Sequence, residues 1–237
     1  MALKTASLSL YIYEGTSGSY TSSDLRYTLQ KSIVGSNTKI LFEIAELVRD
    51  YIEHNFNNDY LSESIWVTAI TTLFDDDDTV FTYGSPITET FLAVDGYGYF
   101  EDAINPELDR HALISSNTIY LPENTAGKFP IFAEGVGKVI IDSTTTQITD
   151  NGNTNQKIQY VTIPANKSTI QVYDTDDTTV KKTINIINVC EPKFTPYKIT
   201  FLNRFGTYQD FYAFKKTVES FNVTAEKYKR NTVKNST

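Results

Sequence analysis

Short runs in which apolar and polar residues alternate, set apart by Gly, Asn, Asp, Ser and Thr spacers, recur along most of this chain and confine it to β structure. Successive side chains of a strand point to opposite faces, so a run such as residues 7–13 sends Leu8, Leu10 and Ile12 one way and Tyr11 and Tyr13 the other. The same reading predicts strands over residues 25–29, 64–74, 89–94, 118–121, 129–133, 138–141, 157–163, 169–173 and 180–189. Residues 80–83 are expected to return from 64–74 as a hairpin across Asp75 to Asp78. Residues 169–173 and 180–187 form a second hairpin across the acidic spacer 174–179.

Residues 190–216, CEPKFTPYKITFLNRFGTYQDFYAFKK, concentrate aromatic content and turn chemistry. They read as two strands, 197–203 and 207–214, with Arg204, Phe205 and Gly206 at the bend. Ile199 and Phe201 share one face of the first arm and Lys198 and Thr200 the other; the second arm is apolar on both faces. A strand apolar on both sides is either central in a sandwich or pressed against a neighbouring subunit. Phe205, Tyr208, Tyr212 and Phe214 are therefore candidate interface residues.

Helical periodicity is confined to about residues 42–54, where Ile44, Leu47, Val48, Tyr51 and Ile52 fall on one stripe and Glu43, Glu46, Arg49, Asp50 and Glu53 on the other. The acidic stripe is ordinary solvated surface or a seat for a basic partner. Residues 101–116 are polar and lack a longer period. The expected organisation is thus mainly β, with two Ig/fibronectin-like β-sandwich domains: residues 1–104 with one amphipathic helix packed on the first sandwich, a linker at 105–116, and residues 117–237 ending in the strand pair and a polar tail. Lys229 and Arg230 in that tail, and Tyr97, Tyr99 and Phe100 in the glycine-loosened DGYGYF loop, complete the candidate interface.

Charge and composition narrow the function classes. A net charge of −8 with no Lys/Arg run argues against nucleic acid as partner, and no apolar run is long enough to span a bilayer as a helix or to act as a signal peptide, so a soluble chain made in the cytosol is expected. A single cysteine, Cys190, leaves no internal disulfide. The 16 Tyr and 14 Phe suit contact surfaces, because Tyr offers a large apolar body with a polar tip.

No catalytic motif stands out. His54 and His111 read as surface histidines, Cys190 as a small apolar residue, and no nucleophile elbow, zinc signature or phosphate loop is present. The carboxylates at 75–78 and 174–177 lack the spacing of a calcium loop and read as hairpin tips. No enzyme activity, metal or cofactor is assigned. A glycosidase-like pair of carboxylates stays open as an outside alternative.

Three blocks, FEIAELVRDYI at 42–52, LAVDGYGYFEDAINP at 92–106 and the closing strand pair at 190–216, resemble structural proteins of tailed bacteriophages of the marine and Bacteroidetes-infecting kind. The resemblance implies a component of the virion, made in the host cytoplasm: a ring-forming or adaptor protein of the tail, baseplate or neck. Its partners would be copies of itself and other virion proteins. A carbohydrate-binding or adhesin module that recognises a host surface is the alternative.

Overall fold

The computed structural model describes residues 3–35, 37–52, 56, 59–61, 63–80, 84, 86–96, 111–190 and 193–215. They form a mainly β structure with several sheets.

The first sheet contains β1 (Thr5–Tyr13), β2 (Leu25–Ser32), β3 (Ser64–Phe74) and β4 (Ile87–Val94), in the order β2-β1-β3-β4 and antiparallel throughout. Register places Leu8, Leu10 and Ile12 opposite Thr71, Ala69 and Val67. This face is buried: Leu8, Leu10, Ile12, Ile65 and Val67 pack with Val48 and Ile52, which close it from α1 (Ala45–Arg49) and the turn after it. The opposite face is rich in hydroxyls, with Ser7, Ser9, Thr68, Thr72 and Thr90, and Thr68 Oγ1 lies 3.0 Å from Tyr13 Oη and 2.9 Å from Thr90 Oγ1. This face is itself covered in part, since Thr68 is fully buried and Tyr13 and Trp66 are buried beside it.

Two expectations change here. The helix expected over 42–54 is only five residues long, and residues 53–55 lie outside the described set. Ile44 at its N-cap has no side-chain oxygen to satisfy an amide, and a helix this short gains little from its own hydrogen bonds. Burial of Val48 and Ile52 is what holds it. β3 pairs with β4 from Thr71↔Ile87 to Ser64↔Val94, a ladder not expected; of the hairpin expected across Asp75 to Asp78 the described part is the bridge from Phe74 to Val80, and residues 81–83 lie outside the described set.

The remaining strands are β5 (Thr118–Pro122), β6 (Gly127–Phe132), β7 (Lys138–Ile141), β8 (Thr144–Gln147), β9 (Ile158–Ile163), β10 (Thr169–Tyr173), β11 (Val180–Val189), β12 (Tyr197–Leu202) and β13 (Tyr208–Ala213). Five of them make a sheet in the order β5-β11-β10-β7-β8, in which β5 and β11 run parallel; β6 pairs with β9, and β12 with β13. The expected hairpin across 174–179 is present as β10 and β11. One core serves both the five-stranded sheet and the β6-β9 pair, because Phe129, Ile131, Val161 and Ile163 pack with Val139, Ile141, Ile170, Val172, Ile184 and Ile186. Strand β8 was not expected. Its four residues, TTTQ, are all exposed and carry no apolar signal; a two-residue turn from Ile141 to Thr144 and the ladder to β7 make it a strand.

Residues 111–114, the described start of the expected linker's second part, belong to this core: Ala112, Leu113 and Ile114 are buried, and Leu113 and Phe132 exchange backbone hydrogen bonds with Pro130 and His111. The spacer 150–155 joins the first sheet to the rest. Asn155 Oδ1 accepts from the Gly15 amide at 3.2 Å, its Nδ2 donates to Ser64 O at 2.7 Å, and its own amide donates to Gly15 O at 2.9 Å. Trp66 Nε1 donates to the same Gly15 carbonyl. Lys157, 3% exposed, fixes the spacer from below by donating to both carboxylate oxygens of Asp150 at 2.7 Å and to Gly152 O.

A candidate interaction surface on the closing ribbon

Strands β12 and β13 form a two-stranded ribbon whose register, from Tyr197↔Ala213 to Leu202↔Tyr208, sorts every side chain onto one of two faces. The inner face carries Lys198, Thr200, Leu202, Tyr208, Asp210 and Tyr212. Asp210 sits at its centre with a side chain only 9% exposed. Tyr60 Oη donates to Asp210 Oδ2 at 2.6 Å and Thr200 Oγ1 donates to Oδ1 at 2.7 Å. Lys198 Nζ donates to Tyr60 Oη at 2.9 Å. The Tyr208 amide donates to Tyr160 Oη, and the rings of Phe56, Tyr60, Tyr160 and Tyr208 stack edge-on or tilted around the network.

At the bend, buried Asn203 does the work of a cap. Its Oδ1 accepts from the Phe205 amide at 2.9 Å and from Thr207 Oγ1 at 3.0 Å, while Nδ2 donates to Leu113 O at 2.8 Å. Gly206 has φ +70°, and a Cβ there would lie 2.8 Å from the Asp95 carbonyl. The bend therefore presses against the end of β4 at a position only glycine fits.

Burial, and then the hydrogen bond to the Asp210 carboxylate, push the Tyr60 hydroxyl above its ordinary value; the Tyr60 hydrogen bond pushes the Lys198 ammonium up. Neutral tyrosine and charged lysine are both reinforced, the reverse of what a tyrosine needs to give up its proton near neutral pH.

The outer face has the opposite character. Tyr197, Ile199 and Phe201 stand beside Ala213, Phe211 and Gln209, with no ionisable group other than the tyrosine hydroxyl. Tyr197 is 59% exposed, Ile199 46%, Phe201 40% and Phe211 55%. Among the described residues no further strand pairs with either long edge of the ribbon. A contiguous exposed apolar strip can take up another polypeptide.

Of the residues singled out from sequence, Phe205 and Tyr208 are buried within the chain itself, and Tyr212 and Phe214 are half-buried, Tyr212 against the core of the five-stranded sheet. Tyr97, Tyr99, Phe100, Lys229 and Arg230 lie outside the described residues. The structure brings forward Tyr197, Ile199, Phe201 and Phe211 instead. The alternation that puts Ile199 and Phe201 on one face is visible in the sequence; which face is covered depends on Tyr60, far away in the chain.

Other candidate chemistry is accounted for locally. Asp75 accepts from the hydroxyl and amide of Thr79 and the amide of Asp77, and Asp176 from Thr179 and Thr178 in the same way; these bonds hold both carboxyls below the usual range. Among the described residues no group of three His, Cys, Asp or Glu side chains is placed to hold a metal ion. A cleft of about 510 Å³ lies between Glu14, Asp50 and Glu63, with Tyr51, Ile52, Ser64 and Ile65 in its wall. All three carboxylate residues are exposed, and the Ser64 hydroxyl is committed to Asn155 O.

Comparison of the chain with protein-family models, with curated proteins and with solved structures gives no match. Fold and surface together define a mainly β protein of several sheets with an apolar-faced ribbon at its described C-terminal end.

Proposed function

We propose that this chain is a structural component of a phage particle, a ring-forming or adaptor protein of the tail, baseplate or neck, and that it acts through protein contacts and catalyses no reaction. The observation that carries the contact role is the outer face of the β12-β13 ribbon, four large apolar side chains 40–59% exposed on a strand pair with open edges. The particle itself is suggested by the three sequence blocks that resemble tailed-phage proteins. An Ig/fibronectin-like sandwich is the architecture we read for the second part of the chain, supported by the core shared between the five-stranded sheet and the β6-β9 pair. In the first part a sandwich would need a second layer over the hydroxyl-rich face; the described residues supply one sheet and α1.

The test uses particles produced with the wild-type chain or with Ile199→Asp as the sole copy. Mass spectrometry of purified particles is expected to find the wild-type chain at a fixed stoichiometry. The variant, folded by circular dichroism, should be missing or strongly depleted. Absence of the wild-type chain from particles would end the virion reading; unchanged incorporation of Ile199→Asp would remove the ribbon from it.

A further inference from the structure

Charge is distributed unevenly along the chain. Residues 1–96 hold 14 acidic and 5 basic side chains, whereas residues 193–215 hold Lys193, Lys198, Arg204 and Lys215 against Asp210 alone. Asp210 is turned inward and committed to Tyr60 and Thr200. Lys198 is held on the inner face by Tyr60, so the ribbon presents an apolar strip with Lys193 and Lys215 beyond its open end and Arg204 at its bend, on a molecule whose net charge is −8.

A surface of matching shape and opposite charge exists at the far side of the first sheet. β4 is its edge strand, and among the described residues its outer edge pairs with no strand. Ile87, Glu89 and Phe91 lie on one face of β4, with Ile87 43% and Phe91 38% exposed and Glu89 exposed between them. The exposed tip Asp76, Asp77 and Asp78 lies beyond the Ile87 end of the same strand and stays net acidic although Lys4 pairs with Asp78 at 3.1 Å. Two apolar side chains flanking a carboxylate, next to an acidic tip, complement an apolar strip with Lys193, Arg204 and Lys215 at its ends.

We propose that copies of this chain associate head to tail, the β12-β13 ribbon of one copy seating on the β4 edge of the next. The occupant of the ribbon is then a second copy, and the match of a strip with cations at its ends to an acidic edge is what selects it over ribbon-to-ribbon pairing, in which cations would meet cations. Strand-to-strand hydrogen bonds between edges with which no described strand pairs would add sequence-independent affinity, and the apolar side chains the register. A contact between two different patches generates rings when its rotation closes and filaments when it does not. The inference rests on the building-block reading and names the contact that reading requires.

Sedimentation velocity over a concentration series tests it with wild type, two ribbon variants (Phe211→Asp and Tyr197→Asp) and one edge variant (Phe91→Asp). Wild type is expected to associate, more weakly as salt is raised, and each variant to stay monomeric with an unchanged circular dichroism spectrum. An equimolar mixture of Phe211→Asp and Phe91→Asp is expected to give dimers and nothing larger, because one intact ribbon and one intact edge remain. Association that survives in Phe91→Asp but is lost in both ribbon variants, or a mixture that stays monomeric while wild type associates, would overturn the head-to-tail contact and leave the building-block reading standing. A wild-type chain that is monomeric at every concentration overturns the contact as well; presence or absence in purified particles then decides the building-block reading separately.

Discussion

The first sheet and the closing ribbon are both antiparallel and both built on strict alternation, yet they bury opposite faces. In β1 the apolar set Leu8, Leu10 and Ile12 is inside and the hydroxyls face out. In the ribbon the polar set Lys198, Thr200 and Asp210 is turned toward the molecule, and Tyr197, Ile199 and Phe201 are left facing solvent. The inversion is tolerated because each inward polar group meets a partner: Asp210 has Tyr60 and Thr200, Lys198 has Tyr60, and Asn203 has Leu113 and the bend amides. A polar network inside a fold is stable when its members are satisfied and costly when one is missing. What the contrast teaches is that alternation marks the apolar face of a strand but not whether the chain itself covers it; for the ribbon we propose that a second copy does.

The sharpest way to break the contrast is to truncate an apolar residue on each side. Leu10→Ala, in the fully buried face, is expected to lower unfolding free energy by about 2–5 kcal/mol in urea titrations, while Phe211→Ser stays within about 0.5 kcal/mol of wild type. Equal losses would mean that the outer ribbon face is covered within the chain. Next in size, Asp210→Ala should destabilise by about 2–3 kcal/mol because the Tyr60 and Thr200 donors lose their acceptor. A double-mutant cycle with Tyr60→Phe should return a coupling above about 0.5 kcal/mol; additivity would argue against the clamp.

Gly206→Ala sharpens the account of the bend. A left-handed φ and a close Asp95 carbonyl should together lower stability by about 1–3 kcal/mol, read as a drop in melting temperature, whereas Gly18→Ala, with open space around its Cβ, should give the smaller loss. The smallest effect is on pH. Tyr60 and Lys198 both have folded values raised above their ordinary ones near 10.0 and 10.5, so their contribution is complete below about pH 10 and is lost as pH rises through the folded values. The melting temperature should therefore fall above pH 10, less steeply in Tyr60→Phe. A steeper fall in that variant would contradict the assignment.

Much of the strand content was legible because alternation with Gly, Asn and Asp spacers is a local signal: β3, β10 and β11 match the expected ranges residue for residue, and the β12-β13 bend falls on Arg204 to Gly206. Elements held by distant partners were not legible. β8 has no apolar residue to announce it, α1 ends at Arg49 although its stripe keeps packing to Ile52, and the long ladder between β3 and β4 was not foreseen. The aromatic residues chosen for an interface divide in the same way. Phe205 and Tyr208 were chosen for ring size and proximity to the bend, but size alone does not tell a ring that caps its own core from one that faces outward.

By itself, the sequence determined that this chain pairs strands, where most of them lie and which residues of each strand share a face, since all three follow from the two-residue period of the backbone. Tertiary structure alone decided which of the two faces is covered, which strands neighbour each other and which spacer joins the sheets. Those outcomes depend on contacts between residues far apart in the chain, Tyr60 with Asp210 and Gly15 with Asn155, and no local pattern of side chains encodes a partner 150 or 140 positions away.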